Sequence, residues 1–163
     1  MPYAMPMRRC FFLTTALALY AAAPARADRA PDLSLFGRLV GKCYAASIGP
    51  AATDRHCFEA VYGGKHLRDR HRVMVDGKVV YAGETIYSRS GAEIVFAYPN
   101  TLGGVGQGKA SAAPSGIPSP GPMRSAPSRP PQPMDSSWRW QGTGYAASDG
   151  KGADVVFKPV AAK

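Results

Sequence analysis

The sequence predicts a mainly β protein: an antiparallel up-and-down barrel with a short N-terminal helix and a Pro/Gly-rich loop. Three observations carry that expectation. Turn dipeptides, Gly63-Gly64, Asp76-Gly77 and Ser90-Gly91, recur between short runs rich in β-branched and aromatic residues. No long segment shows the 3.6-residue periodicity of an amphipathic helix. Counting the runs gives seven or eight strands, and a sheet of that size with little helical cover closes into a barrel or folds into a sandwich.

The chain begins with a segment to be set aside. Arg8 and Arg9 precede the apolar run "CFFLTTALALYAAA", and Ala25-Arg26-Ala27 is the small-x-small pattern a signal peptidase reads. Residues 1–27 therefore read as a signal peptide, because a spanning helix needs about 20 apolar residues. Cys10 follows Arg9 rather than the cleavage point, which argues against lipidation. The expected mature protein is a single barrel domain, 28–163, that is periplasmic or secreted and not an integral membrane protein.

After a short tether, Asp28 to Pro31, Asp32 is a good N-cap for a short helix carrying Leu33, Leu35, Phe36 and Leu39, with Gly41 at its end. "LVGKCYAA" reads as a first strand, "RHCFEAVY" as a second, "KHLRDRHRVMV" as a third, "KVVYAGETIYS" as a fourth and "AEIVFAYP" as a fifth. From Gly103 to Pro133 the chain turns to Gly, Pro, Ala and Ser, a composition that buries little apolar surface. That stretch is expected to be a flexible excursion, with short edge strands near Lys109 to Ala112 and Met123 to Ser125. "SSWRWQGTGYAAS" and "ADVVFKPV" read as closing strands.

Charge and cysteine content narrow the function classes. The full chain carries +9. Cleavage removes Arg8, Arg9 and Arg26 and no acid, leaving +6 with both signs interspersed. No concentrated Lys/Arg patch is present, so nucleic-acid binding is not expected. Cys43 and Cys57 remain after cleavage, and an even pair in an oxidising compartment reads as a disulfide. There is no GxSxG or HExxH, and "GGVGQG" does not open a helix, so no catalytic residue and no cofactor is assigned.

The strongest site signal lies in "HCFEAVYGGKHLRDRH", which holds all three histidines. A Gly63-Gly64 turn sets Glu59 opposite Arg68, Phe58 opposite Asp69 and His56 opposite His71. An Asp76-Gly77 turn sets Val73 opposite Val80, His71 opposite Ala82, Asp69 opposite Glu84 and Leu67 opposite Ile86. Side chains alternate faces. Arg68, Arg70 and Arg72 mark one face as solvated, so Phe58, Leu67, Asp69, His71 and Val73 are expected inside. With them would stand Val80, Ala82, Glu84, Ile86, Val95 and Ala97. His56, His71, Asp69 and Glu84 then make a polar knot among apolar neighbours, and buried charges must be paired, metallated or shifted in pKa. Three readings follow: a hydrogen-bonded network that sets register, the polar end of a ligand cavity, or a metal or acid–base site. A slip of one residue would exchange the faces and bring Tyr81, Tyr87, Ile94, Phe96 and Tyr98 inward.

"LFGRLVGKCY" followed by an antiparallel meander resembles the start of lipocalin-like (calycin) proteins, in which a helical turn leads to a Gly-x-Trp motif. Gly41 matches the glycine, and Cys43 stands where the tryptophan would be. The layout "YGGxHxRDxH…DGxxxYxGETxY", Tyr62 to Tyr87, also resembles a group of small exported bacterial proteins of unknown function. The resemblance implies an eight-to-ten-strand barrel around a small, usually apolar ligand. The expected function is small-molecule binding through His56, His71, Asp69, Glu84 and Phe58, with no metal assigned. The alternatives are a metal-dependent or acid–base enzyme using His56, His71, Asp69 and Glu84, or a structural envelope protein. The last would use the Pro-rich loop or the Tyr81–Phe96 face.

Overall fold

Asp76 and Gly77 both adopt left-handed φ, 48° and 74°, as a type I′ turn requires. Around that hairpin the rest of the sheet is assembled. The computed structural model describes residues 36–91, 93–111, 115–123, 132–149 and 151–162, with backbone only at 118–123 and 132–135. Ten strands follow in chain order. They are β1 (Cys43–Ser47), β2 (Ala52–Val61), β3 (His66–Val75), β4 (Lys78–Ser90), β5 (Glu93–Pro99), β6 (Val105–Ala110), β7 (Gly116–Met123), β8 (Gln132–Gln141), β9 (Gly144–Ser148) and β10 (Val155–Val160). Each pairs antiparallel with its neighbours in sequence, and β1 closes on β10. The result is an antiparallel, nearly closed ten-strand barrel.

The expected signal peptide and the Asp32–Leu35 part of the expected helix lie outside the described residues. Phe36 to Gly41 form turns, with Leu39 N–H donating to Phe36 O and Lys42 N–H to Leu39 O. No α-helix occurs among the described residues, and no helix there is long and apolar enough to cross a membrane. The turn drives Phe36 and Leu39, both fully buried, into the barrel, where Phe36 packs on Tyr87 with ring centroids 5.3 Å apart.

The β2–β3 register is the expected one, with Glu59 opposite Arg68, Phe58 opposite Asp69 and His56 opposite His71. The β3–β4 register is not. Val75 pairs with Lys78 and Met74 with Val79, but Val73 pairs with Tyr81. Val80 is an extra residue, a β-bulge, and from it onward β4 is displaced by one position. His71 then faces Gly83 rather than Ala82, Asp69 faces Thr85 rather than Glu84, and Leu67 faces Tyr87 rather than Ile86. Tyr81, Tyr87, Phe96 and Tyr98 turn inward, and Val80, Ala82, Glu84, Ile86, Val95 and Ala97 turn outward. The apolar lining of β4 and β5 is thus aromatic rather than aliphatic.

Strands β6 and β7 run through the stretch expected to be an excursion, which raises the strand count to ten. β7 keeps an unbroken register with β8 from Gly116 to Met123, yet meets β6 at the single pair Gly106–Met123. Pro118, Pro120 and Pro122 explain the asymmetry. Residues two apart present their N–H to the same edge, so three alternating prolines strip donors from one edge only. That edge is the one turned to β6.

Cys43 and Cys57 are directly paired across β1 and β2 and joined by a disulfide. The outer surface carries ion pairs among Glu59, Arg68, Arg70 and Glu84.

Candidate functional site

Asp54, His56 and Phe58 alternate along β2 and point into the barrel beside Asp69 and His71 of β3. His56 Nδ1–H donates to Asp69 Oδ2 at 2.7 Å. His71 Nδ1 lies 2.8 Å from the Tyr98 hydroxyl, which itself donates to Tyr81 Oη at 2.8 Å. Where Tyr98 donates to Tyr81, it accepts from His71 Nδ1–H. Both imidazoles are therefore anchored through Nδ1, and both Nε2 atoms face the same carboxylate oxygen. Asp54 Oδ1 is 2.7 Å from His71 Nε2 and 3.6 Å from His56 Nε2. The two rings stack at 4.4 Å with planes 13° apart.

Gly83 makes room for this arrangement. It lies opposite His71, and a Cβ there would run into the Tyr98 ring. Only a glycine lets that ring lie across β4 and bring its hydroxyl to His71.

The electrostatics follow from two carboxylates taken out of water. Burial pushes the Asp54 carboxyl up, but its close contacts with His56 and His71 override that and hold it well below the usual carboxylate range. Burial lowers the pKa of His56, and the charge of Asp69, helped by Asp54, outweighs it and raises the imidazolium to about 10. Burial, the Tyr81 hydroxyl and the nearby carboxylates push Tyr98 far above its ordinary value. The polar end is thus a fixed ionic cluster backed by tyrosines that stay neutral. Polar capacity is left over: Asp54 Oδ1, Asp69 Oδ1, His71 Nε2 and the Tyr145 hydroxyl are buried without an aligned hydrogen-bond partner.

Beside the cluster lies a cavity of about 270 Å³. His56, Asp69, His71, Tyr81, Thr85 and Tyr98 form its polar side, and Tyr87, Phe96, Trp138 and Ser136 the rest of the wall. Of the residues the sequence singled out, His56, His71 and Asp69 come together on it. Phe58 points inward but packs in the core, 2% exposed, with its ring stacked below His56 at 6.1 Å. Glu84 does not join the cluster, because the Val80 bulge carries it to the outer face within 3.8 Å of Arg68 Nη1. His66 also faces outward, bonded to Ser88 Oγ at 2.8 Å.

Asp54 and Trp138 went unnamed in the sequence, and Tyr81 and Tyr98 were expected inside only if the register slipped by one residue. Asp54 had a signal, since Asp-x-His in a strand places both side chains on one face. Tyr81 and Tyr98 were hidden by the bulge. Trp138 reaches the site only through barrel closure.

No protein-family model matches the chain, and no curated protein matches it.

Proposed function

We propose that this protein is an exported, lipocalin-like binding barrel that holds a small organic molecule in its interior. The observation that carries the reading is the cavity. It is walled by Tyr87, Phe96 and Trp138 and ends in hydrogen-bonding groups on Asp69, His71, Thr85 and Tyr98. Ligand sites in proteins combine an apolar wall with a few placed polar groups in this way, in volumes of about 300–1,000 Å³ for drug-sized ligands. At about 270 Å³ this one suits a smaller molecule, flat enough to lie between rings and polar at one end. Export rests on the signal-like residues 1–27 and on the Cys43–Cys57 disulfide, a bond of oxidising compartments.

Native mass spectrometry of the mature protein purified from its own host tests this reading, alongside Tyr98→Phe, Trp138→Ala and Glu84→Ala. A retained organic mass that falls away in the first two variants and persists in Glu84→Ala supports it. A bare polypeptide in every preparation, with no gain in stability from any compound in a metabolite panel, would leave the cluster as a register-setting network and overturn the binding reading.

A further inference from the structure

We propose that Asp54, His56 and His71 form a binding site for one divalent transition-metal ion of the zinc class. The inference goes beyond the organic-ligand reading and does not depend on it.

The donor atoms are already gathered. One oxygen of Asp54 and one nitrogen from each histidine lie within 4.8 Å of one another. The separations of 2.7 and 3.6 Å between Asp54 Oδ1 and the two Nε2 atoms bracket the roughly 3.3 Å expected between two ligands of a tetrahedral zinc bonded at about 2.0–2.1 Å. The imidazole planes, 13° apart, must tilt toward each other for both lone pairs to converge on one ion.

The orienting partners are those a metal-bound histidine uses. Such a histidine donates its other ring N–H to a carboxylate, carbonyl or similar group, which fixes the tautomer and aims the free nitrogen. Here His56 Nδ1 is held by Asp69 and His71 Nδ1 by Tyr98. The contact this leaves between His71 and Asp54 is otherwise hard to satisfy. With its proton on Nδ1, His71 presents a lone pair at Nε2 to a carboxylate oxygen 2.7 Å away, and neither atom completes a hydrogen bond. Two acceptors at that distance must share a cation, either a proton on Nε2 or a metal ion.

Charge points the same way. Asp54 and Asp69 bring two negative charges inside the barrel; a divalent ion that displaces the proton of the His56 imidazolium would balance both. Two nitrogens and one oxygen select borderline ions such as zinc over calcium or magnesium, which prefer all-oxygen shells. Three protein ligands leave a further position, and the two histidines that supply ligands also line the cavity.

Zinc alone tests the site, added to the full mature, disulfide-intact chain after chelator stripping and followed by competition with a chromogenic chelator. The expected result is one equivalent bound. Asp69→Asn should weaken binding about 10–100-fold, the cost of losing an orienting partner. Asp54→Ala and His71→Ala should weaken it further, and His66→Ala should leave it unchanged. A readout on the unaltered protein guards against variants that misfold: zinc should shift the ¹⁵N resonances of His56 Nε2 and His71 Nε2, and not those of His66. No zinc held at micromolar concentration, or binding that survives both ligand substitutions and shifts only His66, would overturn the site.

Discussion

Asp69 and Glu84 give the sharpest test of the barrel's register, because a single bulge decides which of them is inside. Asp69 is 1% exposed and hydrogen-bonded to His56 at 2.7 Å. Converting it to Asn keeps the shape and an acceptor oxygen but removes the charge opposite a buried imidazolium. Breaking a buried pair by deleting one partner costs about 3–5 kcal/mol. The retained acceptor places Asp69→Asn at the lower end, about 3 kcal/mol. Glu84 is 41% exposed, and its nearest cation, on Arg68, is 3.8 Å away. Solvent screens such a pair, so Glu84→Gln should cost under about 1 kcal/mol. Urea unfolding under non-reducing conditions, with chelator present, separates the two. For a slope near 2 kcal/mol/M, the first variant should shift the midpoint down by about 1.5 M and the second by under about 0.5 M. Equal losses, or a larger loss for Glu84→Gln, would refute the bulge and place Glu84 in the interior.

Three further outcomes are expected. His56 has its pKa raised to about 10 in the folded state, against about 6.5 unfolded. Its contribution, on the order of 5 kcal/mol, is therefore fully present below about pH 6.5 and lost as pH rises through about 10. Chelated protein unfolded by urea at successive pH values should lose stability across that window, and a flat profile from pH 7 to 9.5 would contradict the ionic cluster. Gly83→Ala should force the Tyr98 ring off β4, at about 1–3 kcal/mol for overpacking. Thermal unfolding and the His71 ring resonances report that loss, and an unchanged His71 signal would count against the Tyr98 contact. Cutting the disulfide with Cys43→Ser and Cys57→Ser should cost about 3 kcal/mol, as for a closed loop of about 15 residues. Its 14-residue sequence separation supplies that loop. Wild-type protein under reductant should show the same loss.

The β2–β3 hairpin was legible because local chemistry specifies it. Glycines at 63 and 64, with φ of 68° and 81°, take a conformation other residues resist, and once the turn is placed every pair from Val61–His66 to Ala52–Val75 follows. The Asp76-Gly77 turn was equally clear. The bulge three residues from Gly77 was not, because Val79 and Val80 are chemically identical and nothing local marks one as the extra residue. That one ambiguity decided the identity of the cavity wall, since it exchanged Glu84 for Thr85 and Ala82 for Tyr81. β6 and β7 were obscured for a different reason. Their Gly and Pro content argues against strand by propensity, and they are held by closure of the barrel around them. The histidine–carboxylate cluster was legible as a cluster, while its full membership depended on distances that only the tertiary fold supplies.

The proline pattern of β7 bears on how the protein behaves in company. β6 and β7 remain neighbours in the barrel wall, so an opening of this thinly paired seam is what would expose strand edges of the kind that invite another chain to add on. An incoming strand at β7 would find no donor at Pro118, Pro120 or Pro122, and could not extend a ladder past them. The same residues that keep the barrel from zipping fully shut therefore guard it against self-association into fibres. Replacing them with β-branched residues should complete the seam in dilute solution and promote aggregation in concentrated solution.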